Sequence, residues 1–171
     1  MSGTEVSGQP AGAAATEQSI PLRLEVVLIG VTDADRAREF YEQLGWRLDA
    51  NISRGDSFSV VQMTPPDSRA SVTFGRGITT PAPGSANILL AVPDVQAARE
   101  QLQARGAPVS DIFHGAGSGF LPVGSPARAP GRDPEGGSYV SFAEFSDPDG
   151  NRWLMQEIKE RLPGRLWDDE L

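Results

Sequence analysis

Three side chains in the second half of this 171-residue chain could move a proton: His114, Tyr139 and Glu144. A general acid or base must sit within hydrogen-bond reach of its substrate. Their spacing puts His114 at the end of a strand and Tyr139 and Glu144 on a later one. Any one of them could serve as acid or base in a lyase, isomerase or cyclisation step. A lone His at a strand end is more often a structural residue. The chain has one His and no Cys. That excludes disulfides, Cys-ligated zinc, Fe–S clusters and thiol nucleophiles. It also excludes three-His zinc, two-His iron and H-E-x-x-H sites within one chain. No G-x-S-x-G or P-loop occurs, and Gly115-Ala-Gly117-Ser-Gly119 does not lead from a strand into a helix. Asp147-Pro-Asp149-Gly150-Asn151 echoes a calcium loop, but Ile158 stands where such a loop needs Glu, so a turn is the better reading.

Charge and length narrow the classes further. The net charge is −8. Residues 21–157 hold 12 basic and 17 acidic residues, so the acidity belongs to the expected folded part. This argues against nucleic acid, whose phosphates require clustered Lys and Arg; it reads first as a solubility device and otherwise favours neutral or cationic small ligands. Residues 1–20 lack Lys, Arg and an apolar run, which argues against a signal peptide. Rich in Gly, Ala, Ser and Thr, they read as a disordered tail. No run of 18 apolar residues exists, so no membrane partner is expected. A cytoplasmic location follows as the expectation.

The elements that must position these groups come in two copies. VVLIGVTDADRAREFYEQLGWRL (26–48) aligns with NILLAVPDVQAAREQLQARGAPV (87–109) at an offset of 61. Each copy is an apolar run, V-x-D, an amphipathic stretch and Gly. Leu22–Val31 reads as a strand. Asp33 and Asp94 are helix N-caps. Ala37, Phe40, Tyr41 and Leu44 form one apolar helix face. Gly45 and Gly106 end the helices. Strands follow at Trp46–Asp49, Ser57–Thr64 and Ala70–Phe74, then at Val109–His114, Tyr139–Phe145 and Arg152–Glu157. The expected organisation is module one over 21–75, a Gly/Pro-rich linker over 76–85, module two over 86–157 and a tail over 158–171. Residues 115–138 hold seven Gly and four Pro among 24, too many for regular structure. A loop of that length is read as functional, a lid ordered by ligand.

VVLIGVTDADRAREFYEQLGW, NILLAVPDVQAAREQL and FSDPDGNRWLMQE together resemble the vicinal oxygen chelate superfamily, the glyoxalase, bleomycin-resistance and extradiol-dioxygenase fold. The trailing RLPGR (161–165) resembles a feature of one bacterial glyoxalase-like subgroup. The resemblance implies an α+β fold of two tandem βαβββ modules, whose curled sheets enclose a cavity with helices on the convex side. It also implies a homodimer, or both modules in one chain. The superfamily holds metal-dependent isomerases, lyases, epimerases and dioxygenases, and also metal-free proteins that sequester ligands.

The usual metal-ligand positions of that fold fall here on Val26, Asn87, Leu154 and, approximately, Thr73. Val and Leu donate nothing, and Asn and Thr are weak ligands for Fe, Zn or Ni. No metal and no other cofactor is therefore expected. Glu25 and Glu157 would need a strand bulge to reach the cavity, because a shift of one residue reverses the face. Alternation from Val26 lines the cavity with Val26, Leu28, Gly30, Asn87, Leu89, Ala91, Leu154 and Gln156. His114 and Tyr139 would stand at its mouth. Phe58, Tyr139, Phe142 and Trp153 are candidates to stack on a planar ligand, and Glu144, if inward, to pair with a ligand cation. The leading expectation is a metal-free binder of a small organic ligand, an antibiotic or natural-product intermediate. The alternatives are a cavity enzyme using His114, Glu144 or Tyr139, and then a metal-dependent glyoxalase or dioxygenase.

Overall fold

Asp33 and Asp94 begin the two helices with the same geometry. Asp33 accepts from the N–H groups of Asp35 and Arg36, both at 3.0 Å. Asp94 accepts from Gln96 at 2.9 Å and Ala97 at 3.0 Å. Each carboxylate thus satisfies donors that have no partner within the helix. The N–H groups of Arg36 and Ala97 hold the two carboxyls below the usual range. At the other end, Gly45 and Gly106 both have φ +87°, a left-handed conformation that stops the helix.

In the computed structural model, residues 22–115 and 126–161 are described. The order is β1 (Val26–Leu28), α1 (Ala34–Gln43), β2 (Arg47–Arg54), β3 (Phe58–Thr64), β4 (Ser71–Arg76), β5 (Asn87–Val92), α2 (Val95–Ala104), β6 (Phe113–Gly115), β7 (Arg128–Pro130), β8 (Ser141–Ser146) and β9 (Arg152–Glu157). One sheet runs β1-β4-β3-β2 and the other β5-β9-β8-β6-β7. In each sheet the first strand pairs in parallel with the last strand of its module, and the other pairings are antiparallel. The fold is α+β with two mixed sheets, and neither sheet closes on itself.

Several boundaries differ from the sequence expectation. The first strand is three residues long, followed by a single bridge from Gly30 to Pro83. Residues 109–112 are not a strand. Pro108 lacks an N–H, and the Ser110 carbonyl accepts from Arg99 Nε at 2.7 Å. Tyr139 has φ +70° and so stands outside β8. The Gly/Pro-rich segment contains β7, which makes the second sheet five-stranded. Pro130 is tolerated because β7 is an edge strand. The N-terminal tail, residues 116–125 of the expected lid and residues 162–171 lie outside the described residues.

One apolar core lies between the helix-facing sides of both sheets. It joins Ile29, Tyr41, Val61, Met63, Val72 and Phe74 to Val95, Ala143, Phe145, Trp153 and Met155. Tyr41 stacks on Trp46 at 4.6 Å, and Trp46 meets Trp153 edge-on at 4.9 Å. Trp153 is therefore core, where the sequence reading had it as a ligand-stacking candidate.

The DPDGN turn joins the modules. Asp147 accepts from Tyr41 Oη and from Asn151 Nδ2, both at 2.8 Å. Asn151 Nδ2 also donates to the Gly30 carbonyl at 2.8 Å, and its Oδ1 accepts from Ala86 N at 3.2 Å. Asp149 accepts from Thr32 N at 3.1 Å and Arg36 at 3.2 Å. Burial, reinforced by the Asp147 charge, pushes the Tyr41 phenol well above its usual pKa, so it stays a donor.

Gly30 does not line an open face. A Cβ there would stand 2.0 Å from the Pro81 carbonyl oxygen and 2.8 Å from that of Ala82. Gly30→Ala must push the linker backbone away. The expected loss is about 1–3 kcal/mol, the usual range for overpacking, read as a lower urea midpoint at unchanged slope.

Candidate functional site

Both sheets turn one face to the shared core, so their other faces point away from it. On the first sheet the outer face is set by register. Val26 opposes Ser71, and Leu28 opposes Thr73, which in turn opposes Gln62. Val26 and Leu28 keep 38% and 42% of their surface exposed. Thr73 is 9% exposed, and its hydroxyl has no partner among the described residues. Beside it runs a polar chain. Gln62 Nε2 donates to Ser71 Oγ at 3.3 Å. Ser71 and Thr64 hydroxyls meet at 2.6 Å, and Thr64 donates to Asp49. Because the single Thr64 proton goes to Asp49, Ser71 must be the donor to Thr64. Hydrogen bonds from Arg47 and Thr64 hold the Asp49 carboxyl below its usual range.

The second sheet repeats the register with different chemistry. Asn87 opposes Arg152, Leu89 opposes Leu154, and Leu154 opposes Glu144. Leu89 is 40% exposed. Asn87 is exposed and donates to the Ser85 carbonyl at 3.3 Å. Leu154 is buried against Phe113 and Phe142, whose rings stack at 5.7 Å. Arg128 lies 4.0 Å above the Phe113 ring and donates to both Glu144 oxygens, at 2.8 and 3.2 Å. Arg152 donates to Glu144 at 3.1 Å. Arg128 above all, and then Arg152, hold the Glu144 carboxyl below its usual range. Glu144 shares the face of Leu154, but two guanidinium groups already take its charge. The cation pairing drawn from sequence thus meets an occupied carboxylate.

The remaining candidates are dispersed. His114 opposes Ser141, one residue out of phase with Phe113 and Phe142, so it lies on the core-facing side of the sheet. Its Nδ1 stands 2.9 Å from the Gly131 carbonyl, which can only accept, so Nδ1 carries a proton. His114 and Glu144 are on opposite faces and cannot act together on one substrate. Tyr139 sits in the turn before β8 and lines a groove of about 460 Å³ with Gly136, Ser138, Lys159 and Glu160. Its carbonyl accepts from Gln156 Nε2 at 2.9 Å, so that buried amide is engaged by backbone.

Glu25 is exposed ahead of β1. No bulge carries Glu157 to the outer face, because β9 pairs in continuous register and turns Glu157 toward the helices. It is fully buried, accepts from Val95 N at 2.9 Å and pairs with Arg132 and Lys159.

Asp49, Gln62, Thr64, Ser71, Phe113, Arg128 and Arg152 escaped the sequence reading of these faces. Arg152 shares parity with Leu154, so its signal was present. Asp49 sits in a register shift between Leu48 and Ala50, which breaks the alternation.

The four positions where this fold would hold a metal do not make a donor set. Val26 and Leu154 are hydrocarbon, and Thr73 and Asn87 lie on different sheets. Among the described residues no group of three or more His, Asp or Glu is placed to hold an ion.

Comparison with known proteins agrees with this architecture. A sequence profile of the Glyoxalase/Bleomycin resistance protein/Dioxygenase superfamily matches residues 23–155. No curated protein matches the chain. Among solved structures, TnmS3, an antibiotic binding protein from Streptomyces sp. CB03234, is 26% identical with TM-score 0.57, covering 82% of this chain and 98% of that one. A glyoxalase/bleomycin resistance protein from the same Streptomyces strain is 27% identical with TM-score 0.54, covering 79% and 100%. A superfamily member from Sphaerobacter thermophilus DSM 20745, 21% identical with TM-score 0.53 over 80% and 98%, shares the fold. The chain belongs to the Glyoxalase/Bleomycin resistance protein/Dioxygenase superfamily.

Proposed function

We propose that this protein binds a small organic molecule, of antibiotic or natural-product type, on the outer faces of its two sheets and without a metal ion. One observation carries the reading. At matching register in both modules, Leu28 and Leu89 stand open beside the places where the fold's metal ligands would be, which here are Val26, Thr73, Asn87 and Leu154. Those four positions offer a ligand hydrocarbon, a hydroxyl and an amide instead of imidazole or carboxylate. Apolar walls with a few convergent polar groups are the usual composition of an organic-ligand site. The likeness to an antibiotic binding protein supports the same reading. The two faces point away from one core, so a cytoplasmic homodimer that brings one face of each copy together would form an enclosed pocket.

The test is a thermal-shift screen against aromatic and polycyclic natural products, with metal analysis of protein purified without chelator. A ligand at a hundred times its Kd adds about 2.7 kcal/mol to stability, or roughly 5–10 °C in Tm for a domain of this size. One equivalent of Fe, Zn or Ni per chain would overturn the metal-free part. A screen without any stabilising compound would overturn the ligand-binding part.

A further inference from the structure

The outer face of the second sheet is not neutral. Glu144 is held at both oxygens by Arg128, and Arg152 adds a third hydrogen bond to one of them. The second guanidinium exceeds what one carboxylate requires. Arg152 keeps 41% of its side chain exposed, whereas Glu144 keeps 21%. The carboxylate is therefore the recessed member and the guanidinium the accessible one. Arg152 opposes Asn87 across β5 and β9, one step along the face from Leu89, which is 40% exposed. A cationic fork, an exposed amide and an open leucine thus adjoin one another on one face.

We infer that this face takes an organic anion, its carboxylate or phenolate on Arg152 and its apolar body against Leu89. The inference rests on the ligand-binding reading and deepens it by fixing the sign of the ligand's charge. It reverses the preference expected from the net charge of −8. Charges more than about 8–10 Å away are largely screened at physiological salt, so the adjacent guanidinium governs. Arginine suits the role, since its planar fork matches a carboxylate and stays charged. Glu144 competes with the ligand for that fork, so its removal strengthens anion binding.

The experiment compares 2-naphthoate with 2-naphthamide, which have nearly the same shape and differ by one charge, by fluorescence titration of the full chain. The carboxylate is expected to bind about tenfold tighter, the difference between a charge-assisted and a neutral hydrogen bond, with the ratio shrinking as salt is added. Arg152→Gln should bring the ratio to about one. Arg152→Lys should keep part of it, which guards against misfolding as the cause. Glu144→Gln should raise it. Equal or tighter binding of the amide by the native chain would overturn the anion site and leave the ligand-binding reading standing. An unchanged ratio in Arg152→Gln would also overturn it. Failure of both probes to bind would overturn the anion site, while the thermal-shift screen decides the ligand-binding reading separately.

Discussion

Asn151→Ala is expected to lower the unfolding free energy by about 3–4 kcal/mol. Asn151 is fully buried and its side chain joins three parts of the chain. Nδ2 donates to the Gly30 carbonyl in module one and to Asp147 in the turn, and Oδ1 accepts from Ala86 N before β5. Truncation leaves a carbonyl and an N–H without these partners and takes one donor from a buried carboxylate. Each buried polar group left unsatisfied costs about 1–3 kcal/mol. At roughly 3 °C per kcal/mol for a domain of this length, Tm should fall by about 10 °C. Asn151→Asp should be worse, since it sets a second carboxylate against Asp147. Asn51→Ala on exposed β2 is the control and should stay within about 0.5 kcal/mol. Urea unfolding of the three variants decides. A loss below 1 kcal/mol for Asn151→Ala would show that the turn does not hold the modules together.

Glu157→Ala should cost about 3 kcal/mol for a different reason. This buried carboxylate accepts from Val95 N at the start of α2 and pairs with Arg132 and Lys159. Breaking a buried pair by removing one partner costs roughly 3–5 kcal/mol. The lower end applies, because Arg132 and Lys159 are 38% and 41% exposed and regain water. Glu157→Gln keeps an acceptor for Val95 N and loses only the charge, so it should fall between alanine and the native chain. Equal losses for alanine and glutamine would assign the whole effect to the ion pairs. A full rescue by glutamine would assign it to the helix N-terminus. The same contact ties the segment after β7 to α2 through Arg132, so Glu157→Ala should also speed amide exchange around Gly131–Tyr139.

The repeat made most of the architecture readable. Asp33 and Asp94, then Gly45 and Gly106, mark helix starts and stops by local chemistry that depends on no distant partner. A strand made by long-range pairing alone, with no apolar run of its own, was not readable. β7 lies in a Gly/Pro-rich stretch and exists because β6 offers it an edge. Val109 and Tyr139 look like strand residues, but a side-chain contact at Ser110 and a left-handed backbone at Tyr139 remove them from it. Parity carried the site only as far as the strands stayed regular. It put Val26, Leu28, Asn87, Leu89 and Leu154 on the outer faces, and Thr73 came from the family resemblance instead. It missed Asp49, because a bulge adds a residue, and it misplaced Gly30, which a linker covers. No local signal announces that Glu144 is already matched, because Arg128 comes from a segment read as structureless.

The matched registers of the two sheets also bear on how a guest would be oriented. Ser71, Thr73 and Gln62 on one face answer to Arg152, Leu154 and Glu144 on the other. A duplication with like residues at these places would leave a palindromic surface, on which a guest could lie head-first or tail-first with equal energy. Here one half is a ladder of hydroxyls ending at an aspartate, and the other a guanidinium pair around a glutamate. The backbone keeps the pseudo-symmetry and the side chains have abolished it, so an asymmetric guest bound there would have a single preferred polarity.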